Sequence, residues 1–430
     1  MRCALLTLLF ARFVVLSTAQ PVAPDPEPRW WKGNLHTHTL WSDGNDFPEM
    51  IVEWYRDHGY NFLALSDHNT LSQGQRWMPL TEIDRRSGGD AFDKYLARFG
   101  NAWVETRGSR DDGSLEVRLK PFDEYRALVE ERNRFLMIQG EEITGSFQRR
   151  PIHINATNLA EMIPPQTADT VEQTIRKTLQ AVETHAAETG REILTHLNHP
   201  NYGWAVTAED LAPVLEERFF EVFNGHTSVH NHGDELHAST DRMWDIINTI
   251  RIAGLDAPPI FGVATDDSHS YHGYSSVSVP GRGWVMVKAR HLTPESLIRA
   301  MEAGDFYAST GVVLESIDFN EQSKRLTICI DAEPGEAYTT RFIGTLEDAA
   351  LSIGQTVDSE GNPIAAPRRS NDRIGAVLKT VHGTVASYEF TGRELYVRAI
   401  IESDGVPDFP SEENTHKRAW TQPVVTPRPN

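Results

Sequence analysis

The chain has 430 residues, too many for one small core, and its length points to two domains. Its formal charge of -20 excludes a sequence-independent nucleic-acid binder, which needs a basic surface to release counterions from phosphates. Two cysteines, Cys3 and Cys329, are too few for a Cys-rich zinc site, and neither lies near other reactive residues, which argues against thiol chemistry.

The first elements in chain order are an N-terminal signal and a lead. MRCALLTLLFARFVVLSTAQ carries Arg2, an apolar stretch and the small residues Ser17, Thr18 and Ala19, the pattern of a secretory signal over 1–19 cleaved after Ala19. This predicts a secreted or periplasmic protein in which Cys329 has no intramolecular partner. Arg12 interrupts the apolar run, and a stable membrane span would need about 20 predominantly apolar residues. A Pro-rich lead over 20–32 follows.

Apolar runs then recur at 62–68, 135–144, 151–158, 192–200, 219–226 and 260–269, and read as strands. Between them, PEMIVEWYRDHG, FDEYRALVEERN, ADTVEQTIRKTLQAVETHAAE and MWDIINTIRIAG have helical period. Strands alternating with helices predict parallel pairing in an α/β barrel or open α/β sheet. The Arg-, Asp- and Gly-rich stretch 71–120 fits no strand and reads as an insertion or lid. After 312 the helical pattern stops, and runs such as LTICIDA, RFIGTL and LYVRAII predict a small all-β, sandwich-like domain over 313–430. That region shows no cluster of ligand residues.

The chemistry starts at residues 33–44, GNLHTHTLWSDG. Side chains alternate along an extended strand, so His36 and His38 share a face. Later runs start apolar and end polar: LSDH, GEEIT, HLNHP, EVFNG and ATDDSH. In α/β barrels the site is built at the C-terminal ends of the strands, so these residues are expected to converge. The candidate ligands are His36, His38, Asp43, His68, Glu142, His153, His199, Asp267 and His269. Imidazole and carboxylate donors suit zinc, manganese or iron. Nine exceed one tetrahedral site, which predicts two or three divalent ions with Glu142 as the bridge.

In this order, His-x-His, Ser-Asp-His, Gly-x-Glu, a single later His, His-Pro and Asp-x-His resemble the PHP (polymerase and histidinol phosphatase) superfamily of metal-dependent hydrolases, over about 33–310. The resemblance implies a distorted (β/α)7 barrel with a trinuclear site. It implies one ion on His36, His38, Glu142 and Asp267, a second on Glu142, His153 and His199, and a third on Asp43, His68 and His269. GRGWVMV, FNGH and FYASTG are most similar to the secreted or cytoplasmic branch that includes carbamate and ester hydrolases.

Some positions have competing readings. His196 could replace His199, although the following Pro200 favours His199; Glu141 is a solvated neighbour of Glu142. Asp67 and Asp266, which flank ligands, are expected to fix imidazole tautomers. His226, His230, His232 and His237 read as a surface loop, with His226 a possible pocket wall. The leading function is a phosphoesterase in which a metal-bridging hydroxide attacks phosphorus in a small-molecule phosphate ester. Arg282 is the best phosphate-binding candidate, with Arg76, Arg149 and Arg150 behind it. Hydrolysis of an amide, ester or carbamate on the same site is the alternative. A third reading is a non-catalytic metal-containing binding protein whose β domain attaches to a surface or glycan.

Overall fold

The structure, a computed structural model, describes residues 25–273, 277–349, 360, 372–413 and 415–425. The expected signal at 1–19 lies outside the described residues. No helix among them is long and apolar enough to cross a membrane.

The elements up to residue 312 are β1 (Arg29–Asn34), α1 (Pro48–Asp57), β2 (Phe62–Leu65), β3 (Arg76–Pro79), α2 (Leu80–Ser87), α3 (Ala91–Phe99), β4 (Thr106–Arg107), β5 (Glu116–Leu119), α4 (Phe122–Val129), β6 (Leu136–Phe147), β7 (Arg150–Thr157), α5 (Val171–Thr189), β8 (Leu194–Leu197), α6 (Ala208–Leu211), β9 (Phe219–Asn224), α7 (Thr240–Thr249), β10 (Phe261–Thr265), β11 (Trp284–Ala289), α8 (Pro294–Glu302) and β12 (Phe306–Ser309). The helices follow from local signals. In α5 the Thr170 side chain accepts from the Gln173 N–H, left-handed Gly190 ends the helix, and Val171, Ile175, Leu179 and Val182 form its buried stripe. Pro48 opens α1, whose Ile51, Val52 and Tyr55 face the sheet.

The protein is a mixed α/β molecule built on one large sheet. Strands β1, β2 and β6 pair in parallel, as do β8, β9 and β10. Two departures from the expected parallel order occur in the middle, where β7 is antiparallel to both β6 and β8. The β6–β7 turn is a two-residue hairpin whose central residues, Gln148 and Arg149, both have positive φ, 46° and 69°. That is the backbone of a type I′ turn, normally signalled by Asn-Gly. The stretch 71–120 also departs from expectation: it contains helices α2 and α3 and a small antiparallel sheet in the order β3, β5, β4. Met78, Ile83, Phe92, Tyr95 and Val117 give this insertion its own core, which Leu40, Trp41 and Phe47 join to the sheet.

The remaining strands are β13 (Leu314–Asn320), β14 (Arg325–Ile330), β15 (Tyr338–Leu346), β16 (Ala376–His382), β17 (Val385–Glu389), β18 (Glu394–Ser403) and β19 (Arg418–Thr421). The described residues of this region form no helix. Four of its strands nevertheless extend the N-terminal sheet, which runs β10, β9, β8, β7, β6, β2, β1, β11, β12, β19, β18, β15, β16. The other three form a sheet in the order β13, β14, β17, and a shared core containing Leu326, Ile328, Phe342, Tyr388, Val397 and Ile401 packs the two sheets together. A buried ion pair joins this region to α7: Arg398 donates to both Asp245 oxygens at 2.9 and 2.8 Å.

The expected seven-stranded barrel is not closed. Among the described residues no strand pairs with the outer edge of β10. The side-chain amide of Gln422 takes that place, accepting from the Gly262 N–H and donating to the Gly262 carbonyl, both at 2.9 Å. The strands still wrap one apolar cluster, to which β1, β2, β6, β8, β9, β10, β11 and β12 all contribute.

Beside this core lies a buried acid, Glu217, just before β9. Its Oε1 accepts from Thr195 Oγ1 and the Phe219 N–H, whereas Oε2 has no partner. Burial pushes its carboxyl up to about 8, so the fold favours the neutral acid. The stability this gives is complete below the unfolded carboxylate range and is lost as pH rises through about 8. We expect Glu217→Gln, which cannot ionise, to gain on the wild type by on the order of 3 kcal/mol between pH 5 and 9 in denaturant unfolding. A difference that does not change with pH would contradict this.

Candidate metal centre

The polar residues expected to converge do so at one end of the sheet. His36 and His38 follow β1, Asp67 and His68 follow β2, His199 follows β8, and Asp267 and His269 follow β10. Glu142 lies within β6. Because β7 runs the opposite way, its contribution, His153, comes near its start, paired in register with Thr144 of β6. Two of these positions have left-handed backbone, Asp267 at φ 48° and His199 at φ 22°, a strain that persists where the surroundings dictate it.

All nine candidates are brought together. His36 Nε2 and His38 Nε2 each lie 3.3 Å from Glu142 Oε2 and 3.2 Å from Asp267 Oδ1. Ligands about 2.0–2.1 Å from a tetrahedral ion are about 3.3 Å apart, so this spacing fits a metal. Both Nε2 atoms are buried without a hydrogen bond, which also fits. The other Glu142 oxygen, Oε1, faces His153 Nδ1 at 2.9 Å and His199 Nε2 at 3.3 Å. At the mouth the exposed Asp43 lies 3.3 Å from His269 Nε2 and 3.6 Å from His68 Nε2. His38 also belongs to this outer group, and His68 leans inward, with Nδ1 2.8 Å from Glu142 Oε2. The donor atoms fit divalent cations.

The electrostatics match. Burial alone would raise the carboxyls of Glu142 and Asp267, but the surrounding imidazoles outweigh it and hold both well below the usual range. Burial, helped by His269 and His68, lowers His38 to about 3, which leaves a neutral imidazole. A cavity of about 420 Å3 opens over the cluster, and Tyr202, His226, Ser270, Val277 and Ser278 complete its walls.

Several sequence-based readings change. Of the two histidines in THLNHP, His199 faces Glu142, whereas His196 is buried behind the cluster with Nε2 3.5 Å from Glu221. Glu141 is buried, not solvated; it accepts from the Ile163 N–H, and burial lifts its carboxyl to about 7. Asp67 has no direct hydrogen bond to an imidazole: it accepts from the N–H and hydroxyl groups of Thr39 and Ser42, shapes the turn that carries Asp43, and reaches His38 Nδ1 only through the Ser42 hydroxyl at 3.4 Å. Asp266 likewise binds Tyr55 and the N–H groups of Gly281, Arg282 and Gly283. His226 is a cavity wall, while His230 and His237 both stack with Trp204.

Arg282, the expected phosphate ligand, is buried and donates to the carbonyls of Gly225 and Val277, both at 2.8 Å. Gly225 is required here, since a Cβ would come within 2.7 Å of Arg282 Cβ and 2.9 Å of the Asp266 carbonyl. Arg76 donates to the Trp41 carbonyl and Arg150 to that of Ala205, and Arg149 sits in the β6–β7 turn. No arginine or lysine is among the described residues lining the cavity. The sequence reading missed Glu221, Asn198 and Asn224. Asn198 donates to Glu142 Oε1 at 2.8 Å, and its position inside HLNHP was the available signal.

Arg282→Ala should cost about 1–3 kcal/mol in denaturant unfolding, because the buried Gly225 carbonyl loses the guanidinium donor. Bound-metal content should stay at the wild-type level; loss of metal with unchanged stability would refute the bracing role.

No protein-family model and no curated protein matches the chain. Among solved structures it is similar to a two-domain protein containing a predicted PHP-like metal-dependent phosphoesterase from Bacteroides vulgatus, at 16% identity over 94% of this chain and 99% of that one, TM-score 0.40. It is also similar to PsfC from Pseudomonas syringae, at 10% identity over 63% and 87%, TM-score 0.33. A third is a proposed metal-dependent phosphoesterase from Bifidobacterium adolescentis, at 13% identity over 59% and 94%, TM-score 0.30.

Proposed function

We propose that the chain is an exported metal-dependent hydrolase of small phosphate esters, working at the cluster around Glu142. The observation that carries this reading is the approach of His36 Nε2 and His38 Nε2 to two carboxylates at once, each 3.3 Å from Glu142 Oε2 and 3.2 Å from Asp267 Oδ1. In this reading Glu142 would be shared by the inner positions, its Oε2 lying towards His36 and His38 and its Oε1 towards His153 and His199. His153 and His199 would serve a second position, and Asp43, His68 and His269 would serve a third at the mouth.

Divalent ions there would supply Lewis acidity and a bound water acidic enough to ionise near neutral pH. The residues set what such a site accepts. Three carboxylates, Asp43, Glu142 and Asp267, cannot neutralise three divalent ions, so the loaded site keeps a positive excess that favours an anionic phosphate. His226 Nδ1 accepts from the Ser228 N–H, which leaves the proton of the neutral ring on Nε2 as a donor to a substrate oxygen. Tyr202 and Val277 offer walls for the organic part of the ester.

That no arginine or lysine is among the described residues of the cavity wall favours a second reading, hydrolysis of a neutral amide, ester or carbamate at the same residues. One metal-replete preparation tested on phosphomonoesters, phosphodiesters, aryl esters and aryl carbamates separates the two. We expect phosphate ester turnover to dominate, and turnover of carbonyl substrates alone would overturn the first reading. Chelation and His38→Ala should each abolish activity; a protein that binds metal but turns over nothing in the panel would instead be a binding protein. The three-position assignment has its own check. Asp43→Ala should lose one ion by elemental analysis and keep the rest, and loss of all or none would refute it.

A further inference from the structure

Behind the cluster lies a carboxylate that the mechanism above does not use. Glu221, on β9, is fully buried and takes four donors. Its Oε1 lies 2.7 Å from His36 Nδ1 and accepts from Thr265 Oγ1, also at 2.7 Å. Its Oε2 accepts from the His199 backbone N–H at 2.7 Å and from Asn224 Nδ2 at 2.8 Å. The same Asn224 amide reaches Asp267 Oδ2 at 3.1 Å.

His36, His196 and Glu221 could be taken for a further ion site, since their donor atoms lie close together. The hydrogen bonds argue otherwise. Each Glu221 oxygen already faces two donors, His36 Nδ1 and Thr265 Oγ1 on Oε1 and the His199 N–H and Asn224 Nδ2 on Oε2, which leaves neither oxygen free for an ion. A carboxylate bound to one ring nitrogen fixes the proton there and leaves the other nitrogen as a lone-pair donor.

We propose that Glu221 is the positioning residue for the inner part of the metal site: it holds the His36 proton on Nδ1, pins the backbone of His199, and steers Asp267 through Asn224. Its bonds reach the supports of these three residues, and none of them goes to Asp43, His68 or His269. Loss of the carboxylate therefore weakens the inner positions and spares the outer one. The inference rests on the metal-site reading above.

Glu221→Gln is the test. A glutamine has one acceptor oxygen, so one pair of donors, His36 with Thr265 or His199 with Asn224, meets an NH2 group instead. Zinc affinities are measured by chelator competition on metal-stripped wild type and variant, with bound zinc counted at each step. We expect the two tightest sites to weaken by about 10–100-fold and the third to stay within about twofold. In zinc-loaded wild type, nitrogen-15 histidine spectra should place the His36 proton on Nδ1, hydrogen-bonded to the carboxylate, and in the variant the resonance of that proton should move because its acceptor has changed. Unchanged affinities, or an equal loss at all sites, would overturn the proposal, the latter because it marks a merely structural role. Wild type that takes up no zinc would refute the metal reading itself, whereas a variant indistinguishable from a zinc-binding wild type refutes this inference alone. If Glu221→Gln does not fold, Glu221→Asp, which keeps the charge but shortens the reach, is measured with the same expectations.

Discussion

Everything at the functional end of this molecule turns on one carboxylate kept out of water. Glu142 has no exposed surface, and an isolated buried charge of that kind costs several kcal/mol. It is tolerable only among groups that carry or attract the opposite charge. His36, His38, His68, His153 and His199 are those groups, and they come from the ends of β1, β2, β7 and β8. The sheet order follows from the same need, since β6 lies between β2 and β7 with β1 and β8 one strand further out.

A second layer keeps that arrangement from relaxing. Imidazoles and carboxylates at close range would rotate to make ordinary hydrogen bonds if they were free to do so. Instead Asn198 fixes Glu142, Asp67 fixes the turn before Asp43, and Asp266 collects the Gly281–Gly283 backbone beside Asp267. Among the buried polar atoms without a hydrogen bond are His36 Nε2, His38 Nε2 and Glu142 Oε2, which point at the centre. The strain at His199 and Asp267 belongs to the same design, for in both the backbone is bent so that a side chain faces inward.

Much of this was legible in the sequence because strand ends carry their own signature. The apolar runs at 62–68, 135–144, 151–158, 192–200, 219–226 and 260–269 each contain a strand, and the polar residues at or just after their ends meet in space. What could not be read depended on partners rather than on pattern. The β6–β7 hairpin turns on Gln148 and Arg149, which lack the usual glycine or asparagine, so the antiparallel strand looked parallel. Arg282 was misread because an arginine in a Gly-rich loop serves a phosphate or a pair of backbone carbonyls equally well. Glu221 was passed over inside an apolar run, since only the fold shows that its side chain backs onto His36.

The all-β stretch was also read from pattern alone, which marked its strands but not where they attach. The clasp of Gln422 on Gly262 changes what that region is for. An unpaired edge in a large sheet is a template on which other chains can add strands. Here the edge belongs to β10, the strand that delivers Asp267 and His269, and one amide from just beyond β19 occupies its hydrogen-bonding groups at Gly262. The C-terminal segment thus covers one pair of edge hydrogen-bonding groups on the strand that delivers Asp267 and His269, and ties itself to the sheet from the side next to that cluster.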